Sequence, residues 1–123
     1  DIIDFAKKYD PLEFHTNIEA ANNSLFKGLV TSGPHAFHYF YVNKWVPLFG
    51  STVIAGLEVN NWKFLKPVRG NKEVFCSVKI IEINMHEDKG TVSVRWYFEF
   101  KNRHGEIFQY VEMFVLHKNI AYF

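Results

Sequence analysis

A single cysteine, Cys76, in a chain of 123 residues excludes an internal disulfide framework and a thiolate metal cluster. It stands inside an alternating apolar run and reads as a core residue rather than a nucleophile. A reducing, cytoplasmic compartment is the matching expectation. No apolar stretch approaches the ~18 residues of a membrane span. The first residues show neither a basic-plus-apolar signal pattern nor an initiator methionine, so a chain trimmed in front is expected. Charge of neither sign dominates: 14 basic residues against 13 acidic ones leave +1, which argues against a dedicated nucleic-acid binder and leaves room for local basic patches. No internal repeat or linker is visible, and a single domain over residues 1–123 is the reading.

Aromatic rings are what the chain has in excess, with 13 Phe, 6 Tyr and 3 Trp. They suit a buried partner contact or a lined ligand tunnel, and a bulky core explains them nearly as well. Hydrophobic residues make up 48% of the chain, enough to fill such a core.

Ile2, Ile3, Phe5 and Ala6 predict a short helix over 2–8, which Pro11 stops by pushing the preceding residue out of the helical region. Thr16-Asn17-Ile18-Glu19 is a capping-box pattern and predicts a second helix over 17–23. Ser32 reads as an N-cap, with Gly33 the first helical residue and Pro34 in the first turn. From Ala36 to Val46 the segment is apolar or aromatic almost all round, which predicts a buried helix spanning roughly 20 Å. Pro47 and Gly50 are expected to end it.

The period then changes from 3.6 to 2. Residues 52–65, 73–85, 91–100 and 106–117 read as strands, and in the last Phe108, Tyr110, Phe114 and Leu116 share one side. Glu87-Asp88-Lys89-Gly90 and Asn102-Arg103-His104-Gly105 are hairpin-length connections, so the last three strands should form an antiparallel meander. A long apolar helix needs cover, and the sheet is the apolar surface available. The fold class is α+β, an antiparallel sheet wrapped around a central helix.

Two constellations carry chemistry. Asp10-Pro-Leu-Glu-Phe-His15 brings a carboxylate and an imidazole to one chain reversal. Thr31-Ser32-Gly33-Pro34 offers a bare backbone N–H at a helix start, where unpaired amides favour negative charge. Acid/base groups beside an oxyanion site suit reactions of a carbonyl compound.

In these blocks the chain resembles a MaoC-type dehydratase domain of the hotdog-fold superfamily. The resemblance is carried by Phe5-Ala6, Tyr9-Asp10-Pro11, Phe14-His15-Thr16, Glu19-Ala20-Ala21, Gly28 to Gly33, Ala55-Gly56-Leu57, Lys66-Pro67-Val68-Arg69, and Asn102 with Gly105-Glu106, in order along nearly the whole chain. It implies a hotdog fold whose usual extra N-terminal strand lies outside this sequence. It also implies kinship with the (R)-specific enoyl-CoA hydratases of fatty acid metabolism, lyases that hydrate trans-2-enoyl thioesters or dehydrate 3-hydroxyacyl thioesters. Asp10 and His15 would be the catalytic pair, and Gly33 the donor to the thioester oxygen. Ser32, Leu12, Phe14, Lys66 and Arg69 would bind substrate. No metal or cofactor is implied beyond coenzyme A or acyl carrier protein as the acyl carrier. Homodimers or oligomers of dimers are implied, with the tunnel at the interface and no nucleic acid or membrane as partner. Leu12-Glu13 stands where common forms place Asn-Pro or Gln-Pro, and Gly70-Asn71 where Gly-Asp is frequent.

His35 and His38 lie three apart with no third ligand at fitting spacing, and read as core or pocket lining. His86, His104 and His117 read as solvated. Lys63, Lys66, Arg69 and Lys72 form a basic run that reads first as a solvated strand end, and second as a site for coenzyme A phosphates. Two other functions compete. A hotdog thioesterase often carries a carboxylate on the central helix, yet no Asp or Glu occurs between Gly33 and Leu57. A non-catalytic acyl-thioester-binding subunit is the third reading, suggested by Leu12-Glu13.

Overall fold

Alternation turns the second half of the chain into four long strands. In a computed structural model, which describes residues 2–69 and 73–119, these are β1 (Val53–Phe64), β2 (Phe75–His86), β3 (Thr91–Lys101) and β4 (Ile107–Lys118). They form one antiparallel sheet in the order β1-β4-β3-β2, which contains the expected meander. Between β3 and β4, Gly105 adopts φ 83°, a left-handed conformation that glycine takes without strain. Asn102 Oδ1 accepts from the amides of His104 (2.9 Å) and Glu106 (3.0 Å) and closes that turn.

The sheet covers a helical run that starts with α4 (His35–Phe40). A π-helical turn (Tyr41–Trp45), α5 (Val46–Phe49) and a 3-10 turn (Gly50–Thr52) continue it. Pro47 therefore does not end the helix. It lacks an N–H and would crowd the carbonyl four residues back. Just before it the backbone widens, and Val46 N–H donates to Tyr41. The helix also starts later than the sequence suggests: Pro34 is the N-cap and Ser32 gives no side-chain cap. Nor is the run buried on all sides. Phe37, Phe40 and Trp45 face the sheet, while Tyr39 and Leu48 are exposed.

Val94, Trp96, Phe98 and Phe100 of β3 stand beside Val111, Met113 and Val115 of β4, and together with Trp45 they form the core. The β4 side read from Phe108 to Leu116 is thus not the core side over most of its length. Phe114 lies on the opposite face, its ring 4.5 Å from the Arg95 guanidinium. The same phase buries His117, which had read as solvated.

Three short helices lead in: α1 (Ile2–Tyr9), α2 (Glu13–Thr16) and α3 (Ile18–Asn22). The helix predicted over 17–23 is capped by Asn17, whose Oδ1 accepts from Ala20 N–H at 3.0 Å, and not by Thr16. Thr16 is the last residue of α2, and its hydroxyl donates to Leu12 O. Among the described residues no helix is long and apolar enough to cross a membrane.

Candidate active site

Pro11 ends α1, and the Asp10 amide closes its last turn on Ala6 O at 2.8 Å. The single turn of α2 then carries His15 inward, where it is buried. His15 Nδ1 lies 2.9 Å from Val30 O. A carbonyl only accepts, so Nδ1 carries the proton, and in the neutral ring Nε2 is left as a lone-pair acceptor. That Nε2 faces Asp10 Oδ2 at 3.5 Å. Ser32, fully buried, donates its hydroxyl to the same Oδ2 at 3.0 Å. Two acceptors thus converge, one on each ring or carboxylate, at a spacing longer than a direct hydrogen bond.

Gly33 follows Ser32 at the entrance to α4. Its amide has no acceptor among the described residues. Its carbonyl accepts from Gln109 Nε2 at 3.1 Å. A Cβ at this position would meet the ring of Phe64 at 2.8 Å, so only glycine fits without displacing that ring.

His15, Gly33, Phe14, Phe64, Lys66 and Gln109 line part of one cavity of about 320 Å³. Asp10 is joined to it through His15. Of the residues the resemblance assigns to substrate, Phe14 and Lys66 are therefore at the cavity. Ser32 sits away from it against Asp10, and Leu12 is 51% exposed and lines none of the cavities described here. Lys66 pairs with Glu106. Arg69 is half-buried, donates to Phe26 O at 2.7 Å and lines the larger of the two cavities that Thr31 and Val68 share. Lys72 and the Gly70-Asn71 pair lie outside the described residues.

Thr31 and Val68 line this cavity and also a larger one of about 610 Å³, where Ala36, Phe40, Val74 and Phe100 make the wall mainly apolar. His35 and Cys76 reach that wall. His35 stacks on Phe5 at 4.3 Å, and burial lowers its pKa from 6.5. Burial pushes the Cys76 thiol up to about 12, which leaves it without thiolate character at neutral pH. No group of three or more potential metal ligands occurs among the described residues.

Sequence reasoning missed Gln109 and Phe64. Gln109 gave no signal in the sequence, because its place on the core face is set only by the pairing of β4 with β3; there, in phase with Val111, Met113 and Val115, a buried amide has to be bonded.

No family model matches the chain. An uncharacterized protein of Bacillus subtilis, YdeM, is 32% identical over 84 residues, which is 67% of this chain and 59% of that protein. The chain thus spans about three-fifths of the length of this curated relative. The MaoC-like dehydratase from Rhodospirillum rubrum is 26% identical and has a TM-score of 0.79, covering 95% of this chain and 81% of its own. This chain has the hotdog fold of the MaoC-like dehydratases. An (R)-hydratase from Pseudomonas aeruginosa shares the fold at a TM-score of 0.74 and 16% identity, over 95% of this chain and 72% of that one. The neighbours are not all described as enzymes: one from Archaeoglobus is described as a monoamine oxidase regulatory protein.

Proposed function

We propose that this MaoC-like domain is a hydro-lyase that adds water to trans-2-enoyl thioesters and removes it from (R)-3-hydroxyacyl thioesters. The observation that carries the reading is the convergence of His15 Nε2 and Asp10 Oδ2 at 3.5 Å beside a cavity that also holds the unpartnered Gly33 amide. A water molecule that donates one hydrogen to each acceptor satisfies both and keeps a lone pair for attack. Nε2 takes a proton as the oxygen adds to the β-carbon. The electrons of the double bond move toward the thioester oxygen, where the Gly33 N–H stabilises the developing charge. The pair returns a proton to the α-carbon, so water is added across the double bond and no redox cofactor is needed.

The apolar cavity beyond Thr31 and Val68 suits the acyl chain. Lys66, exposed at the edge of the site and paired with Glu106, supports a contact with the phosphates of a coenzyme A or acyl carrier protein thioester. Edge strand β1 leaves Ile54, Leu57, Val59 and Phe64 exposed, which supports pairing of two copies edge to edge. Equilibrium sedimentation at micromolar concentration should then show a dimer, and a monomer alone would contradict that pairing.

Incubation with trans-2-butenoyl-CoA tests the reaction. Formation of 3-hydroxybutyryl-CoA with no free thiol is the expected result. Release of free coenzyme A would make the domain a thioesterase, and recovery of unchanged substrate would leave it a binding subunit.

A further inference from the structure

A glutamine buried on the core face of a strand is costly unless both ends of its amide are bonded. Gln109, 2% exposed, meets that condition with partners from two other parts of the fold. Its Oε1 accepts from Trp62 Nε1 at 3.1 Å, and its Nε2 donates to Gly33 O at 3.1 Å. The indole only donates and the carbonyl only accepts, so the amide has a single satisfactory orientation. The Trp62 indole is itself held edge-on to Phe37 of α4, with ring centroids 5.2 Å apart.

Gly33 needs such a hold. It precedes the first helical residue and, as a glycine, has no side chain to restrict its backbone. The turn that the His35 amide closes on Ser32 O at 3.0 Å spans it, but among the described residues no helical hydrogen bond reaches its own carbonyl. Phe64 limits it on the side where a Cβ would sit, and Gln109 holds the carbonyl. With both in place, the amide stays directed as the site has it.

We infer that Gln109, anchored by Trp62, is a positioning residue that aims the Gly33 N–H at the substrate oxygen. The inference rests on the reading of Gly33 as the oxyanion donor. It adds a Trp62–Gln109–Gly33 chain that runs from β1 through β4 to the start of the central helix. Gln109 acts through Gly33 and has no part in proton transfer.

The test uses the whole chain labelled with 15N-glycine. Its seven glycines give a simple amide spectrum, and Gly33→Ala identifies the Gly33 signal by its loss. Gln109→Met keeps the bulk of the side chain and removes both bonds. The Gly33 signal should move while those of Gly56 and Gly105, in the sheet and its far turn, stay in place. With trans-2-butenoyl-CoA, kcat should fall about tenfold to a hundredfold with KM nearly unchanged, a loss smaller than that for removing a donor outright. Trp62→Phe, which frees only the far end of the amide, should shift the same signal less and lower kcat less. If Gln109→Met does not fold, Trp62→Phe and Gln109→Glu carry the test. An unmoved Gly33 signal, or a lower melting temperature with kcat intact, would make Gln109 a core residue only and overturn the inference. If the wild type turns over no enoyl thioester, the enzymatic reading fails, and the position of the Gly33 signal still decides whether Gln109 holds it.

Discussion

Ser32 Oγ lies 3.0 Å from Asp10 Oδ2, the oxygen that also faces His15 Nε2. The residue that looked like a helix cap gives its hydroxyl to a carboxylate 22 positions earlier in the chain. The bond leaves that oxygen turned toward the imidazole. Ser32→Ala should lower kcat about tenfold or more, because a hydrogen bond to a charged group contributes about 1.5–3 kcal/mol. The far-ultraviolet spectrum should not change. Wild-type turnover in Ser32→Ala would show that Asp10 needs no such hold.

Gly33 and Phe64 should prove coupled. In Gly33→Ala the new methyl meets a ring at 2.8 Å, so the ring must move into the cavity or the backbone must shift. Overpacking of this kind costs about 1–3 kcal/mol. Phe64→Leu in the same chain makes room. The double variant should be more stable than the sum of the two single changes, read from urea melts. Strict additivity would mean that the close approach does not constrain Gly33.

The stability of the domain should fall in mild acid. His117 is 4% exposed, lies 2.8 Å from Thr52 Oγ1 through Nδ1, and accepts from Trp96 Nε1 at 3.1 Å through Nε2. Protonation at Nε2 would break the Trp96 bond, and burial lowers the pKa from 6.5. Below pH 6.5 the unfolded chain therefore takes up the proton more readily than the folded one. The stabilisation is complete above that pH and drains as the pH falls toward the lower folded value. His117→Gln keeps one donor and one acceptor without titrating. Its melting temperature should depend less on pH between about 7 and 5 than that of the wild type. Parallel curves would exclude His117 as a source of the acid loss.

The strands were readable almost to the residue, because strict alternation and hairpin connections bracket them. Val53–Phe64 lies inside the segment read as 52–65, and Thr91–Lys101 extends the one read as 91–100 by a single residue. The face of β4 was not readable. Both of its alternating sets are apolar, and only pairing with Trp96 and Phe98 selects Met113 and Val111 for the core. Pro47 misled for a related reason. A local rule ends a helix there, but the rings of Trp45 and Phe49 pack on Trp96 and hold the run together through a π-turn.

At the site, Asp10, His15 and Gly33 were legible as residue types in recurring blocks. Their support was not: Ser32 bonds Asp10 across a loop, and Gln109 reaches Gly33 over 76 positions of sequence. No local pattern encodes such bonds. Leu12-Glu13 departs from the motif the resemblance rests on, and both residues are exposed.

The most direct measurement follows the ultraviolet absorbance of trans-2-butenoyl-CoA with wild type, Asp10→Asn and His15→Ala. The wild type should consume the conjugated thioester with no thiol released. Each variant should lose about a hundredfold or more of kcat while remaining folded, as expected for an acid/base group acting in the transition state. Turnover that survives both substitutions would contradict the assignment of Asp10 and His15 as the reacting pair.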